Sequence, residues 1–300
     1  MKKVCSVMMS LLMVALLLAG CGGGSTSTAS TAAAPSTAAS TAPETSTPDA
    51  STPEETSQPE ENHEPVTMLL AAAASLKDSF DSTLIPMFQE QYGWITVEGT
   101  YDASGKLQTQ IEEGLEASVF MSAATKQMTA LVDSGLVDEG TVVDLLENEI
   151  VLIAASDSAT DIDSFERIVE ADSIAVGDPV SVPAGQYAEE ALTSLGVWDE
   201  IQPKISQGTN VTEVLNQVAE GSADVGIVYA TDAAQMPDKV KVLAAAPEGS
   251  LAAKVIYPVG ILAEAPQREA AELFLSFLQS PEVLDVFVAN GFKSNVQPPN

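Results

Sequence analysis

From Val66 onward the chain repeats one junction: a short apolar run stops at a small polar residue, and a helical pattern begins there. The junctions read Ala71-Ala72-Ala73-Ala74-Ser75-Leu76, Ala103-Ser104-Gly105, Val182-Pro183-Ala184-Gly185 and Asn210-Val211-Thr212-Glu213. The runs predict strands over 66–74, 95–99, 119–122, 150–155, 173–176, 225–229 and 255–262. Helical patterns cover 75–91, a stretch from 104, 125–133, a stretch near 164–170, 183–195 and 211–219, and two more close the chain. Strands alternating with helices predict α/β architecture with largely parallel sheets. Ligands of such sheets bind beyond the carboxyl ends of strands, where helices start.

A helix start leaves N–H groups without a partner in their own helix and carries the positive end of the helix dipole. Several starts aimed at one cleft make an anion site without a positive side chain. Each junction also has a purely structural reading. Ser75 with Asp78, and Asn210 with Glu213, have the spacing of capping boxes. Pro183 suits a first helical turn because its missing N–H would be unpaired anyway. The four alanines before Ser75 and the glycine after Ser104 favour a ligand, since they leave room for close approach to the backbone.

The chain begins differently. Lys2 and Lys3 precede an apolar stretch that ends at Leu18-Ala19-Gly20-Cys21. Residues 1–21 read as a secretory signal, and the stretch is shorter than the ~20 residues of a spanning helix. Its end resembles the lipobox of bacterial lipoproteins, which implies cleavage before Cys21 and lipid on that thiol. Cys5 would leave with the signal, so internal disulfides, a thiol nucleophile and a cysteine metal site are excluded. Residues 22–65 are Ser, Thr, Ala, Pro and Glu with almost nothing large and apolar, as expected of a disordered tether. As a flexible coil its ends would lie roughly 35–40 Å apart.

Seven of the 43 acidic and two of the 12 basic residues precede Val66, so the rest carries a balance of −26. That excludes a nucleic-acid partner, which demands a basic face. Most of the acids read as a solvated surface. The single histidine, His63, falls in the tether, so no Ser-His triad or histidine metal cluster fits the folded part. Glu112-Glu113 and Glu189-Glu190 read as solvated helix faces, and Trp94 and Trp198 as core or hinge packing. No P-loop, dinucleotide fingerprint or calcium loop is present.

Beyond the junctions, the run Gly177-Asp178-Pro179-Val180-Ser181-Val182-Pro183-Ala184-Gly185-Gln186-Tyr187-Ala188 is distinctive. So are Leu195-Gly196-Val197-Trp198, Gly226-Ile227-Val228-Tyr229 followed by Asp232-Ala233, and Tyr257-Pro258-Val259. Together with the junctions at Ser75 and Ser104, these motifs resemble the molybdate-binding proteins of ABC importers from about Val66 to Phe292. The resemblance implies a type II periplasmic-binding-protein fold of two lobes that close over molybdate or tungstate. It implies an oxyanion held by Ser75, Ser104 and Tyr229 through hydroxyls and by Ala184 and Val211 through backbone N–H groups. The match at Val211 is looser than the others. Tyr229 also has an alternative reading as core alone.

The sequence departs from the family at Ser118 and Ala124, where acidic residues are usual, and at Asp102, where a small residue is common. Turned inward, Asp102 would repel a dianion and could accept the proton of hydrogen phosphate; turned outward along the loop it would do neither.

The expected protein is a monomeric, lipid-anchored, extracytoplasmic solute-binding protein that passes molybdate or tungstate to an ABC permease, with no catalytic residue, cofactor or further metal. Its first lobe should comprise residues 66–148 and 254–300 and its second 149–253, joined by two crossing strands. The alternatives are a binder of another tetrahedral oxyanion, such as sulfate or phosphate, and a surface lipoprotein outside transport, such as an adhesin or enzyme accessory.

Overall fold

A computed structural model describes residues 63–296. The predicted signal, Cys21 and the tether up to residue 62 lie outside the described residues. The last tether residues do not: His63 stacks on Trp94 with ring centroids 4.2 Å apart.

Among the described residues eleven strands form two sheets, each flanked by helices. In chain order they are β1 (Val66–Ala73), β2 (Ile95–Asp102), β3 (Val119–Met121), β4 (Val143–Asn148), β5 (Ile150–Ala155), β6 (Ile174–Gly177), β7 (Ile205–Gly208), β8 (Val225–Tyr229), β9 (Val240–Ala245), β10 (Val255–Ile261) and β11 (Lys293–Ser294). The first sheet runs β11-β4-β10-β3-β1-β2 and the second β7-β6-β8-β5-β9. The chain passes from the first sheet to the second across Glu149 and returns through residues 246–254.

The architecture is α/β in two lobes, but the sheets are mixed rather than largely parallel. β1 pairs parallel with β2 and β3, and β6 with β7 and β8. β10 and β5, the strands beside the two crossings, run antiparallel to both of their neighbours. A helical crossover returns a strand parallel to its predecessor. A strand that arrives from the other sheet has no such constraint.

β1 is enclosed between β2 and β3 and is buried from Leu70 to Ala73. A helical run then covers residues 74–91: a 3-10 turn at Ala74–Leu76, α-helix at Lys77–Ser79, a π-helical turn at Phe80–Leu84 and α-helix at Ile85–Gln91. Its Phe80 and Phe88 meet Phe274 and Phe287 of the two closing helices, Arg268–Leu278 and Pro281–Ala289. Around the second sheet, helices Pro183–Ser194 and Val211–Ala219 begin at the carboxyl ends of β6 and β7. The expected helix near 164–170 is a 3-10 turn at Glu166–Glu170.

Candidate functional site

The junctions converge. Ser75, Ser104, Ala184, Val211 and Tyr229 all line one cavity between the sheets, with Asp102, Ala103, Ala123, Val182 and Pro183 among its other walls. The free space at the site, its mouth to solvent included, is about 200 Å³, against about 960 Å³ for the surface hollow behind the crossing residues at 245–255. Size therefore does not mark the site; convergent helix starts and hydroxyls do. Asp102 is the one ionisable carboxylate in the wall, and no Lys or Arg belongs to it. Positive potential must come from helix starts, whose first-turn N–H groups lack partners within their own helix.

Ser75 is no cap. The residue before the 3-10 turn is Ala73, which has no side-chain cap bond, and the capping-box expectation fails there. The Ser75 hydroxyl instead lies 3.0 Å from the Tyr257 hydroxyl, and both are buried. Asn148 lies behind that pair. Its Nδ2 donates to Thr231 Oγ1 (2.9 Å) and to the Tyr257 oxygen (3.3 Å), while its Oδ1 accepts the Glu149 N–H at 2.8 Å. With its oxygen already accepting from Asn148, Tyr257 can donate to Ser75 Oγ, which leaves the Ser75 proton for the cavity.

Ser104 opens helix Ser104–Glu112 and is not its cap either; Ala103 occupies that position. Ser104 Oγ accepts the Ala123 N–H at 3.0 Å, so its proton too is available to a ligand. Tyr229 is almost fully buried, donates to the Ala123 carbonyl at 3.4 Å and meets Tyr257 edge to face with centroids 5.4 Å apart. Burial, with the neighbouring tyrosine and Asp232 behind it, holds its hydroxyl well above the usual range, so it remains a neutral donor. Asp232 itself is buried, accepts the Tyr229 N–H at 3.1 Å, and is pushed up to about 7 by desolvation.

In the second lobe Pro183 stands in the first turn of its helix, as expected, and places Ala184 on the cavity. Asn210 is a true cap: its Oδ1 accepts the Glu213 N–H at 3.0 Å and so sets the start at Val211. Glu213 completes only half of the expected box, since its carboxylate accepts from Thr209 instead.

The lobes are shut on each other. Gly105 N–H donates across the cleft to the Ser181 carbonyl at 2.9 Å, and a Cβ on Gly105 would lie 2.5 Å from that oxygen. The glycine after Ser104 is thus there for the opposing backbone. Asp102 faces the cavity, where its Oδ1 accepts from Ala103 N–H, Lys106 and, across the cleft, Asn210. Of the other departures, the Ser118 hydroxyl is buried without a partner among the described residues, and Ala124 precedes helix Thr125–Asp133 without a side-chain cap. Sequence reasoning missed Asn148, Thr231 and the role of Tyr257. No local pattern could have found them, because their partners are 83 to 182 residues away.

Residues 68–293 match the model of a family described as bacterial extracellular solute-binding protein. The chain is 36% identical over 232 residues to YvgL of Bacillus subtilis, provisionally assigned as an ABC transporter substrate-binding lipoprotein, covering 77% of this chain and 88% of that one. It is 36% identical over 227 residues to the molybdate-binding protein ModA of Escherichia coli, covering 74% and 86% respectively. Its fold matches that of the periplasmic molybdate-binding protein of Azotobacter vinelandii with a TM-score of 0.67 at 23% identity, over 77% of this chain and all of the other.

Proposed function

Because the chain belongs to the bacterial extracellular solute-binding protein family, as a ModA-like member, we propose that its cavity takes molybdate, and tungstate with it, for delivery to an ABC permease. The observation that carries this reading is a small cavity walled by hydroxyls and helix starts from both lobes, with no cationic side chain. Molybdate at neutral pH is a fully deprotonated tetrahedral dianion and accepts hydrogen bonds on every oxygen. The proposed donors are the hydroxyls of Ser75, Ser104 and Tyr229 and the N–H groups of Ala184 and Val211, with the Tyr229 proton turning to the anion from its long 3.4 Å bond to the Ala123 carbonyl. Hydrogen phosphate would need an acceptor for its proton. Asp102 is the carboxylate in the wall: its Oδ1 accepts three donors, and its Oδ2 is the acceptor such a proton could use. A buried polar group left unpaired costs about 1–3 kcal/mol, so phosphate is disfavoured unless Asp102 takes its proton, and thermal unfolding with each anion separates the two cases. Sulfate has the same acceptor pattern and must be rejected by size.

Donors from both lobes surround one anion only when the lobes are together, so binding favours the closed arrangement. The closed form is then what a permease recognises. Lipid on Cys21 would keep the protein at the outer face of the membrane, and no covalent step is assigned to any residue.

Thermal unfolding with molybdate, tungstate, sulfate and phosphate tests the reading. Ligand at a hundred times its dissociation constant adds about 2.7 kcal/mol of stability, and a clear rise is expected with molybdate and tungstate alone. A comparable rise with sulfate would make this a sulfate-binding protein, and no rise with any of the four would end the oxyanion reading.

A further inference from the structure

We propose that Asp102 is the latch of the closed cleft: a positioning residue that holds Asn210 across the gap and so fixes the second lobe's Val211 donor over the Ser104 side of the cavity. The proposal rests on the oxyanion reading above and deepens it.

Asp102 is the last residue of β2, directly before the Ser104 helix. Its Oδ1 gathers the Ala103 N–H at 2.8 Å, Lys106 Nζ at 3.3 Å and Asn210 Nδ2 at 3.4 Å. The first two partners belong to its own lobe and fix the carboxylate in place. The third belongs to the other lobe, and Asn210 is itself held, because its Oδ1 accepts the Glu213 N–H at 3.0 Å. The Asn210 amide is therefore oriented at both ends, oxygen to its own helix and nitrogen to Asp102. An alanine or serine at position 102 could not span that gap.

A second contact lies beside it. Gly105 N–H donates to the Ser181 carbonyl at 2.9 Å. The two bonds grip the Pro183 and Val211 helix starts that line the cavity, one through Ser181 before Pro183 and one through Asn210 before Val211.

A carboxylate in the wall of an anion cavity carries a Coulombic penalty, and Lys106 offsets part of it. Asp102 thus acts in two opposed ways, by repelling the anion and by closing the cleft. Apparent affinity scales with the population of the binding-competent closed state. The latch assigns the larger effect to closure, which fixes the sign of a mutation.

The test is calorimetric titration and stopped-flow release for wild type, Asp102→Ala and Asp102→Asn. The titrant is whichever of molybdate, tungstate, sulfate and phosphate stabilises the wild type. Asp102→Ala should bind about tenfold more weakly, the size expected for loss of a hydrogen bond to a charged group, mostly through faster release. Asp102→Asn keeps the Oδ1 acceptor without the charge and should stay within about threefold of wild type or bind more tightly. Equal or tighter binding by Asp102→Ala would overturn the latch and leave Asp102 as a source of repulsion alone. Wild-type anion choice tests the transport reading, whereas the ratio of variant to wild type tests the latch, so either can fail without the other.

Discussion

A serine hydroxyl has one proton to give, and its destination depends on what the oxygen accepts. Ser104 Oγ accepts a backbone N–H, and Ser75 Oγ lies against Tyr257, which accepts from Asn148. Ser104 thereby keeps its proton for the cavity before any anion arrives, and Ser75 does so when Tyr257 is the donor of their bond. Tyr257→Phe removes the middle of the second relay without emptying the core volume. It should weaken anion binding about tenfold while lowering apo stability by only ~1 kcal/mol, as for loss of one hydrogen bond; titration calorimetry and urea unfolding read the two effects separately. Unchanged affinity would mean that Ser75 orients without Tyr257. The identity of the candidate residues was legible in the sequence, but their hydrogen-bond state was not. Ser75 has the local pattern of a cap, and only a partner 182 residues away makes it something else.

Among the elements, the helix starts matter most, and glycine sets how closely they sit. A Cβ on Gly185 would lie 2.0 Å from the Gly177 carbonyl oxygen at the end of β6, so helix Pro183–Ser194 rests directly on the strand backbone. Gly185→Ala must push the helix outward and carry Ala184 with it. Overpacking of this kind costs about 1–3 kcal/mol, and anion affinity should fall with stability in denaturant and calorimetric measurements. A variant with wild-type stability and binding would show that the strand end yields. The strands with strong apolar runs were visible in the sequence, whereas β4, β7, β9 and the two-residue β11 were not. β7 is Ile-Ser-Gln-Gly at a sheet edge, and β9 is an edge strand with its side chains mostly part-exposed. Neither carries the continuous burial that a periodicity argument detects.

Over the whole folded part, the acidic balance of −26 across residues 66–300 makes a dianion site possible only through local donors. Charge also sets the pH response, through one buried group. Asp232 is pushed up to about 7 in the folded state, above the ~3.9 of an unfolded aspartate. Its contribution is therefore full below about pH 4 and lost as pH rises toward 7. Asp138 and Glu170 are held low by Arg268 and Arg167, and Glu213 by Thr209; they act in the opposite sense, and only on the acid side of the carboxylate range. The melting temperature should thus fall between pH 5 and 8, and Asp232→Asn, which keeps an acceptor for the Tyr229 N–H, should flatten that fall. An equal slope in wild type and variant would place the titration elsewhere.

Periodicity and junction chemistry, being local, were enough to establish α/β architecture and most strand and helix positions. The quoted motifs carried the family and the residues of the candidate site. Sheet direction, the true roles of Ser75 and Gly105, the Asn148–Tyr257 relay and the inward face of Asp102 depended on tertiary structure. Each of these is a contact between segments far apart in the chain, and no local pattern encodes which distant backbone or side chain will arrive.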